Sequence, residues 1–455
     1  MMNSVSIDEN HLAQLLNPYP MIKNQTTTLQ KAIIMMGVVI ASMILISCQD
    51  RVEITREYTV FEPVYLSLAS LREGVDVVAP KPIEERGKIY LYKNWIMINE
   101  PGNGIHIIDN SVPQSPAARQ FIEIPGNFSF SVRNDLLYAD SYIDLVVIDI
   151  RNMDAITEVG RLEGIFENFS DNYTLDLDSG LIIAYEPVRT ISVTVEDVGG
   201  EFEPVFRGGF FGYSNDALVM AESSSVPQPQ NITGIGGSMA TYTIVNNYLY
   251  ALDNTSIHTF DITDGDNPVK LNELLLGWDI ETLFPYEQNL FVGAQTGMYI
   301  LDNTSPDNPE LITKYEHIFS CDPVVVQGDR AYVTLRSGTT CQGSLNQLEV
   351  IDISNLSNPN LLAAYPMVSP HGLGIDDNML FICEGKSGLK VFDASDDMKI
   401  AHNFITSIDD IDAYDVIPYQ DILYLIGNDG LYQYDYSNPA QITFISKLEI
   451  SSSEL

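Results

Sequence analysis

Seven short segments of this chain end the same way, with apolar residues running into an aspartate. They are IHIID (105–109), LVVID (145–149), IHTFD (257–261), MYILD (298–302), LEVID (348–352), LKVFD (389–393) and LYQYD (431–435). Successive closing aspartates stand 40, 112, 41, 50, 41 and 42 residues apart. A strand-like phrase recurring at about 40 residues implies an array of small β-units, none of which buries its faces alone.

Two stretches show the plan of a unit. Residues 322–365 read as an apolar run, the turn Gly328-Asp329, the run AYVTL, a polar loop, LEVID, a second loop and LLAAY. Residues 371–405 repeat that order, with Asp376-Asp377-Asn378 and Gly385-Lys386-Ser387-Gly388 as turns. Four strands separated by turn residues in about 40 residues match one propeller blade. The predicted fold is therefore all-β, a β-propeller of four-stranded antiparallel blades over residues 87–450.

The gap of 112 residues leaves room for one more unit and an insertion. LIIAY (181–185) and TISVTVED (190–197) are its candidate strands, which gives eight blades; seven is the alternative if this stretch is not a blade. The surplus falls in 199–240, a segment rich in Gly, Ser, Pro and Gln. It reads as a long loop from one face, either padding or a lid over the propeller mouth.

The closing aspartate ends a strand and opens a loop. Its carboxylate is placed to accept backbone N–H groups two residues on, an Asx turn. Four of the seven units add a proline seven residues later (Pro116, Pro268, Pro309, Pro359), where the outer strand begins and a missing N–H is tolerated. A calcium loop of the EF-hand kind needs a glycine at position six and a glutamate at position twelve, a spacing absent here.

The N-terminal region carries a second signal. Residues 32–46 are fifteen apolar or small residues, preceded by Lys23 and Lys31 and followed by Ser47-Cys48. That is the layout of a signal peptide over residues 1–47, with Met21 a more natural start than Met1. The tetrad LISC (45–48) resembles the bacterial lipobox, which implies lipidation of Cys48. Fifteen residues are short for a membrane span, which wants about 20. Residues 48–86 then read as the lipidated cysteine and a tether, part of which packs against the propeller.

The repeats resemble those of the LVIVD-repeat proteins, extracytoplasmic β-propellers common among bacterial surface lipoproteins. The resemblance covers roughly 88–450 and is strongest at 145–149 and 348–352; Thr259 and Gln433 depart from it. It implies a fold and a cell-envelope location, outer membrane or cell surface, and brings no catalytic motif.

Charge narrows the partners. The chain holds 62 acidic against 23 basic Lys and Arg residues, a net charge of −39, which is unchanged by removing residues 1–47. Such a surface disfavours nucleic acid. The expected partners are the membrane, through lipid on Cys48, and an envelope protein or glycan.

Of the remaining cysteines, Cys321 precedes a first strand and Cys341 follows the second strand of the same unit. Two antiparallel strands bring those points to one end, so a disulfide between them is expected. Cys383 lies mid-strand and reads as a small buried hydrophobe. Gly385-Lys386-Ser387 is no phosphate loop, since Leu380 stands where its first glycine belongs. No cofactor, metal or catalytic set is expected.

One constellation points to a binding site. Aligning units on Phe291, Tyr332, Phe381 and Tyr424 puts Glu281, Asp322, His371 and Tyr414 at the start of four innermost strands. They would share one rim of the axial mouth, able to bind a cation, a sugar or an amine; a plain water-filled entrance is the alternative. Carboxylates beside His371 would raise its pKa. The function expected is a binding or interaction scaffold, with a propeller hydrolase or lyase acting on an extracellular polymer at that mouth as the alternative.

Overall fold

The computed structural model describes residues 35–36, 53–166, 174–176, 179–196, 233–278, 280–316, 323–337 and 345–450. The chain divides into two compact units, residues 62–186 with 209–455, and residues 1–61 with 187–208. No helix among the described residues is long and apolar enough to cross a membrane.

Eight β-sheets form, matching the eight expected units in number. Seven carry a four-stranded antiparallel meander, at 89–123, 130–162, 242–275, 280–316, 324–366, 373–408 and 413–449. These are blades 1 to 7. The eighth sheet has three strands, Glu53–Leu66, Gly180–Glu196 and Thr174–Asp176. The two strands expected at 181–185 and 190–197 are one continuous strand of it, so this stretch is not a four-stranded blade.

Packing closes the ring through the seven meanders. Apolar clusters join blade 1 to 2, 2 to 3, 3 to 4, 4 through 6, and 6 to 7. The last contact returns to the first: Ile417, Ile426 and Leu431 of blade 7 pack with Ile89, Ile98 and Ile108 of blade 1. That closed ring of radial sheets is a β-propeller. Inner strands are buried on both faces, whereas the outer strand Val269–Leu275 alternates exposed and half-buried residues.

Local chemistry sets the blades. A two-residue turn joins the first and second strands, and each has a residue at positive φ: Lys93, Asn134, Asn246, Glu287, Gly328, Asp377 or Gln420. Such turns twist with the strands they join. All seven closing aspartates form the expected Asx turn. Asp109, Asp149, Asp261, Asp302, Asp352, Asp393 and Asp435 each accept the backbone N–H two residues on, at 2.8–2.9 Å. Hydrogen bonds from the side chain and the backbone N–H of the residue two on, the Arg151 side chain first in the case of Asp149, favour the carboxylate and hold all seven pKa values below the ordinary one, Asp109 at about 2.

Each outer strand also carries one extra residue opposite the end of the phrase, a β-bulge present in all seven blades. A bulge increases local twist. Asp76–Val78 pairs with the outer strand of blade 1, and Ile83 joins the apolar cluster shared by blades 1 and 7.

Candidate functional site

The axial channel is lined by the seven innermost strands, all running from the rim toward the two-residue turns. At the rim, His371 and Tyr414 come together, their ring centroids 4.8 Å apart and edge to face. The backbone fixes both: Gly372 N–H donates to the Tyr414 carbonyl at 2.8 Å, and His371 N–H to the Cys383 carbonyl at 2.8 Å. Arg86, just before blade 1, lies over the Tyr414 ring with its guanidinium carbon 3.3 Å from the centroid. Its far end donates to Asn428.

The other two expected members behave differently. Glu281 sits second in the inner strand of blade 4 and accepts from Gln295 at 2.9 Å. Asp322 lies outside the described residues, as do Cys48, Cys321 and Cys341. Cys383 is buried and unbonded, its thiol pushed well up by burial. Gly385–Gly388 form a strand-to-strand turn, as expected.

The expected direction for His371 is reversed. Burial, then the charges of Arg336 and Arg86, push its pKa down to about 3. The sequence reading placed carboxylates beside this ring, but arginines from outside the aligned positions face it instead. The imidazole is neutral across the physiological range. The expectation that carboxylates raise the His371 pKa is not met.

The channel is not an open, water-filled entrance. The C-terminal end of the expected 199–240 loop runs inside it. Thr233 bridges Arg133, and Gly234 N–H donates to the Val132 carbonyl at 2.9 Å, both on the inner strand of blade 2. Ile235 and Gly236 pair with Leu91 and Tyr90, adding an inner strand to blade 1. Ser238 Oγ accepts Leu373 N–H at 3.0 Å in blade 6 and donates to Asp415 Oδ1 at 3.3 Å in blade 7. The Ala240 carbonyl accepts Leu283 N–H at 2.8 Å in blade 4. Five of the seven inner strands thus bond to one eight-residue plug, which crosses from the turn face to the rim and enters blade 3. Glycine is needed at 234: a Cβ there would stand 2.1 Å from the Tyr90 ring.

Buried polar groups surround the plug. Lys88 Nζ donates to Thr241 Oγ1 at 2.8 Å and Ser129 Oγ at 3.2 Å. Asp140 is fully buried and accepts Ser129 N–H, Phe128 N–H and the Asn127 amide at 2.7–2.9 Å. Burial pushes Asp140 up and Lys88 down, each toward its neutral form. Burial also raises Asp415 well above the carboxylate range. Two buried pairs hold the ends of second and third strands: Glu100 with His106 Nε2 at 2.7 Å, and Asp253 with His258 Nε2 at 2.9 Å.

Sequence reasoning missed Arg86, Lys88, Ser238 and Asp415. Only Asp415 left a signal, as an ionisable residue inside the apolar strand AYDVIPY. Among the described residues, no group of three or more His, Cys, Asp or Glu is arranged to hold a metal ion. The rim offers a cation stacked on a phenol beside a neutral imidazole, suited to binding.

No protein-family model and no curated protein sequence matches the chain. Solved structures similar to it include the computationally designed Ika8 protein, at TM-score 0.47 and 11% identity, covering 80% of this chain and 88% of that one. Saccharomyces cerevisiae Sqt1 is similar at TM-score 0.48 and 10% identity, covering 84% and 88%. BamB from Moraxella catarrhalis is similar at TM-score 0.44 and 9% identity, covering 82% and 95%.

Proposed function

We propose that this chain is an interaction scaffold of the bacterial cell envelope, a propeller held at a membrane by lipid on Cys48. It presents its loop faces to a protein or glycan partner. The observation that carries this reading is the plug. With residues 233–240 bonded to five inner strands, the axis is filled by the protein itself, and the rim and turn faces remain for a ligand. The same filling tells against a polymer substrate entering the channel for hydrolysis or elimination. The anchoring rests on the LISC tetrad after its apolar run, and membership of the LVIVD-repeat family rests on the seven phrases.

The test has two arms. In a bacterial host, Cys48→Ala should leave an unlipidated precursor that fractionates differently from the wild type; identical fractionation and migration would refute the anchor. For the scaffold, photo-crosslinkers placed at Lys386 on the rim side and Asp329 on the turn side should capture an envelope component. Polymer cleavage by the purified chain, with no captured component at either position, would favour the enzyme reading.

A further inference from the structure

The third residue of each second strand is Met97, Tyr138, Tyr250, Phe291, Tyr332, Phe381 or Tyr424 in blades 1 to 7. Where it is tyrosine, it reaches the loop after the third strand of the next blade. Tyr138 Oη donates to the Gly265 carbonyl at 3.0 Å. Tyr250 Oη donates to the Pro306 carbonyl at 2.8 Å and Asn303 Oδ1 at 2.9 Å. Tyr424 is hydrogen-bonded to Asn110 of blade 1. These bonds seal one blade to the next on the turn face.

Tyr332 breaks the pattern. It is 3% exposed, and what acts on its hydroxyl among the described residues is burial and the charges of Asp397 and Arg330, with no hydrogen bond to the loop of blade 6. It opens instead on a cleft of about 560 Å³ between blades 5 and 6, lined also by Gln327, Asp329, Arg330, Asp377, Ser395 and Asp397. The reason lies in the loop of blade 6. Ile400 stands where four other units have proline, and begins a 3₁₀ turn, Ile400–His402. The Asp397 carbonyl is taken by Tyr365 Oη at 2.5 Å, and the Asp397 carboxylate by Arg330 Nε at 2.5 Å. The loop is thereby held by other partners, and the tyrosine is left facing the cleft.

The electrostatics of the cleft follow from the same contacts. Arg330 is neutralised by Asp397 and by Asp352 at 3.3 Å. Asp329 and Asp377, at the two neighbouring turns, have no cationic partner among the described residues. Burial, then Asp397, push the Tyr332 pKa up to about 12, so its hydroxyl keeps the proton. The cleft therefore offers uncompensated negative charge at its mouth and a hydroxyl at its base. No cluster of described carboxylates fits a metal ion, whereas the volume suits a small organic molecule.

We propose that this cleft binds a protonated primary amine, with the ammonium between Asp329 and Asp377 and an oxygen of the same molecule on the Tyr332 hydroxyl. Two sources share that chemistry, an amino sugar and a lysine side chain with its backbone carbonyl.

Calorimetric titration of the full chain tests it with four probes: glucosamine, N-acetylglucosamine, Nα-acetyl-lysine methylamide and calcium. The proposal expects saturable binding of at least one of the two amines, weakening as salt rises, and none of N-acetylglucosamine. Which amine binds identifies the source. The double variant D329N/D377N should lose at least tenfold in affinity and Tyr332→Phe severalfold, with melting temperatures little changed, because Asp329 and Asp377 are exposed and Phe keeps the packed ring of Tyr332. No saturable binding of either amine, equal binding of N-acetylglucosamine, a calcium site on the same carboxylates, or variants that bind like the wild type would each overturn it.

Discussion

Ser238 Oγ donates to Asp415 Oδ1 at 3.3 Å in the axial channel, and Asp415 Oδ2 has no hydrogen-bond partner among the described residues. One hydroxyl of the plug thus faces a carboxyl group that is wholly buried in blade 7. An unpaired charge there is costly, so the group holds its proton.

This gives a pH dependence with a definite sign. A carboxyl whose folded pKa is raised contributes stability that is present below the ordinary value near 3.8 and is lost as pH rises through the folded one. Urea unfolding between pH 4 and 9 should show wild-type stability falling, relative to that of Asp415→Asn, as pH rises. Asp415→Asn, which stays neutral, should flatten that slope and gain relative to wild type at the alkaline end. Parallel curves for the two proteins would show that Asp415 is not held protonated.

The Asx turns act in the opposite direction, at acid pH, because their carboxylates are held in the charged form. Asp261 accepts the Thr263 N–H at 2.8 Å. Asp261→Ala loses that bond and should cost about 1 kcal/mol at neutral pH. Asp261→Asn keeps an acceptor oxygen and should cost much less. Equal losses in the two variants, read from denaturant midpoints, would mean the turn does not depend on this side chain.

At the rim, the account predicts a silent histidine. The two-dimensional NMR signal of the His371 ring should not titrate between pH 5 and 8, since burial and the flanking arginines hold its pKa near 3. In Arg86→Gln the value should move back upward, as one of the two repelling charges is gone. A wild-type midpoint above 6 would restore the carboxylate-flanked site read from the sequence.

Ring closure makes the blades cooperative. Val391 is fully buried in the third strand of blade 6, within the cluster shared with blade 7. Val391→Asp places an unpaired charge there and should cost several kcal/mol. The loss should appear as one transition of the whole propeller in calorimetry. A separate early transition, with the other blades melting as before, would contradict a closed ring.

The repeat was legible because the same short-range chemistry recurs seven times: apolar alternation, a terminal aspartate and its Asx turn act within a few residues. The bulges were not, since an extra outer-strand residue such as Leu271 changes pairing register without needing a special residue type. The long Gly180–Glu196 strand was misread as two because Pro187 interrupts its pattern, where a proline is usually a breaker. The plug was the largest omission. Residues 233–240 bond almost entirely through backbone atoms and one serine, and such bonds depend on where five distant strands stand. Their composition, rich in glycine, reads as loop. Of the residues the rim alignment grouped, His371 and Tyr414 stand ring to ring, while Arg86 and Arg336 reach them from positions that no repeat alignment could mark.

The central claim is that the propeller axis is filled by its own chain. Native-state hydrogen exchange of the amides of Gly234, Ile235 and Gly236 tests it most directly. The account predicts protection close to that of the inner strand Ile89–Tyr92, with which this segment pairs, and loss of that protection in Gly234→Val, whose side chain would collide with Tyr90. Exchange at the rate of an exposed loop in the wild type would contradict it and leave an open channel.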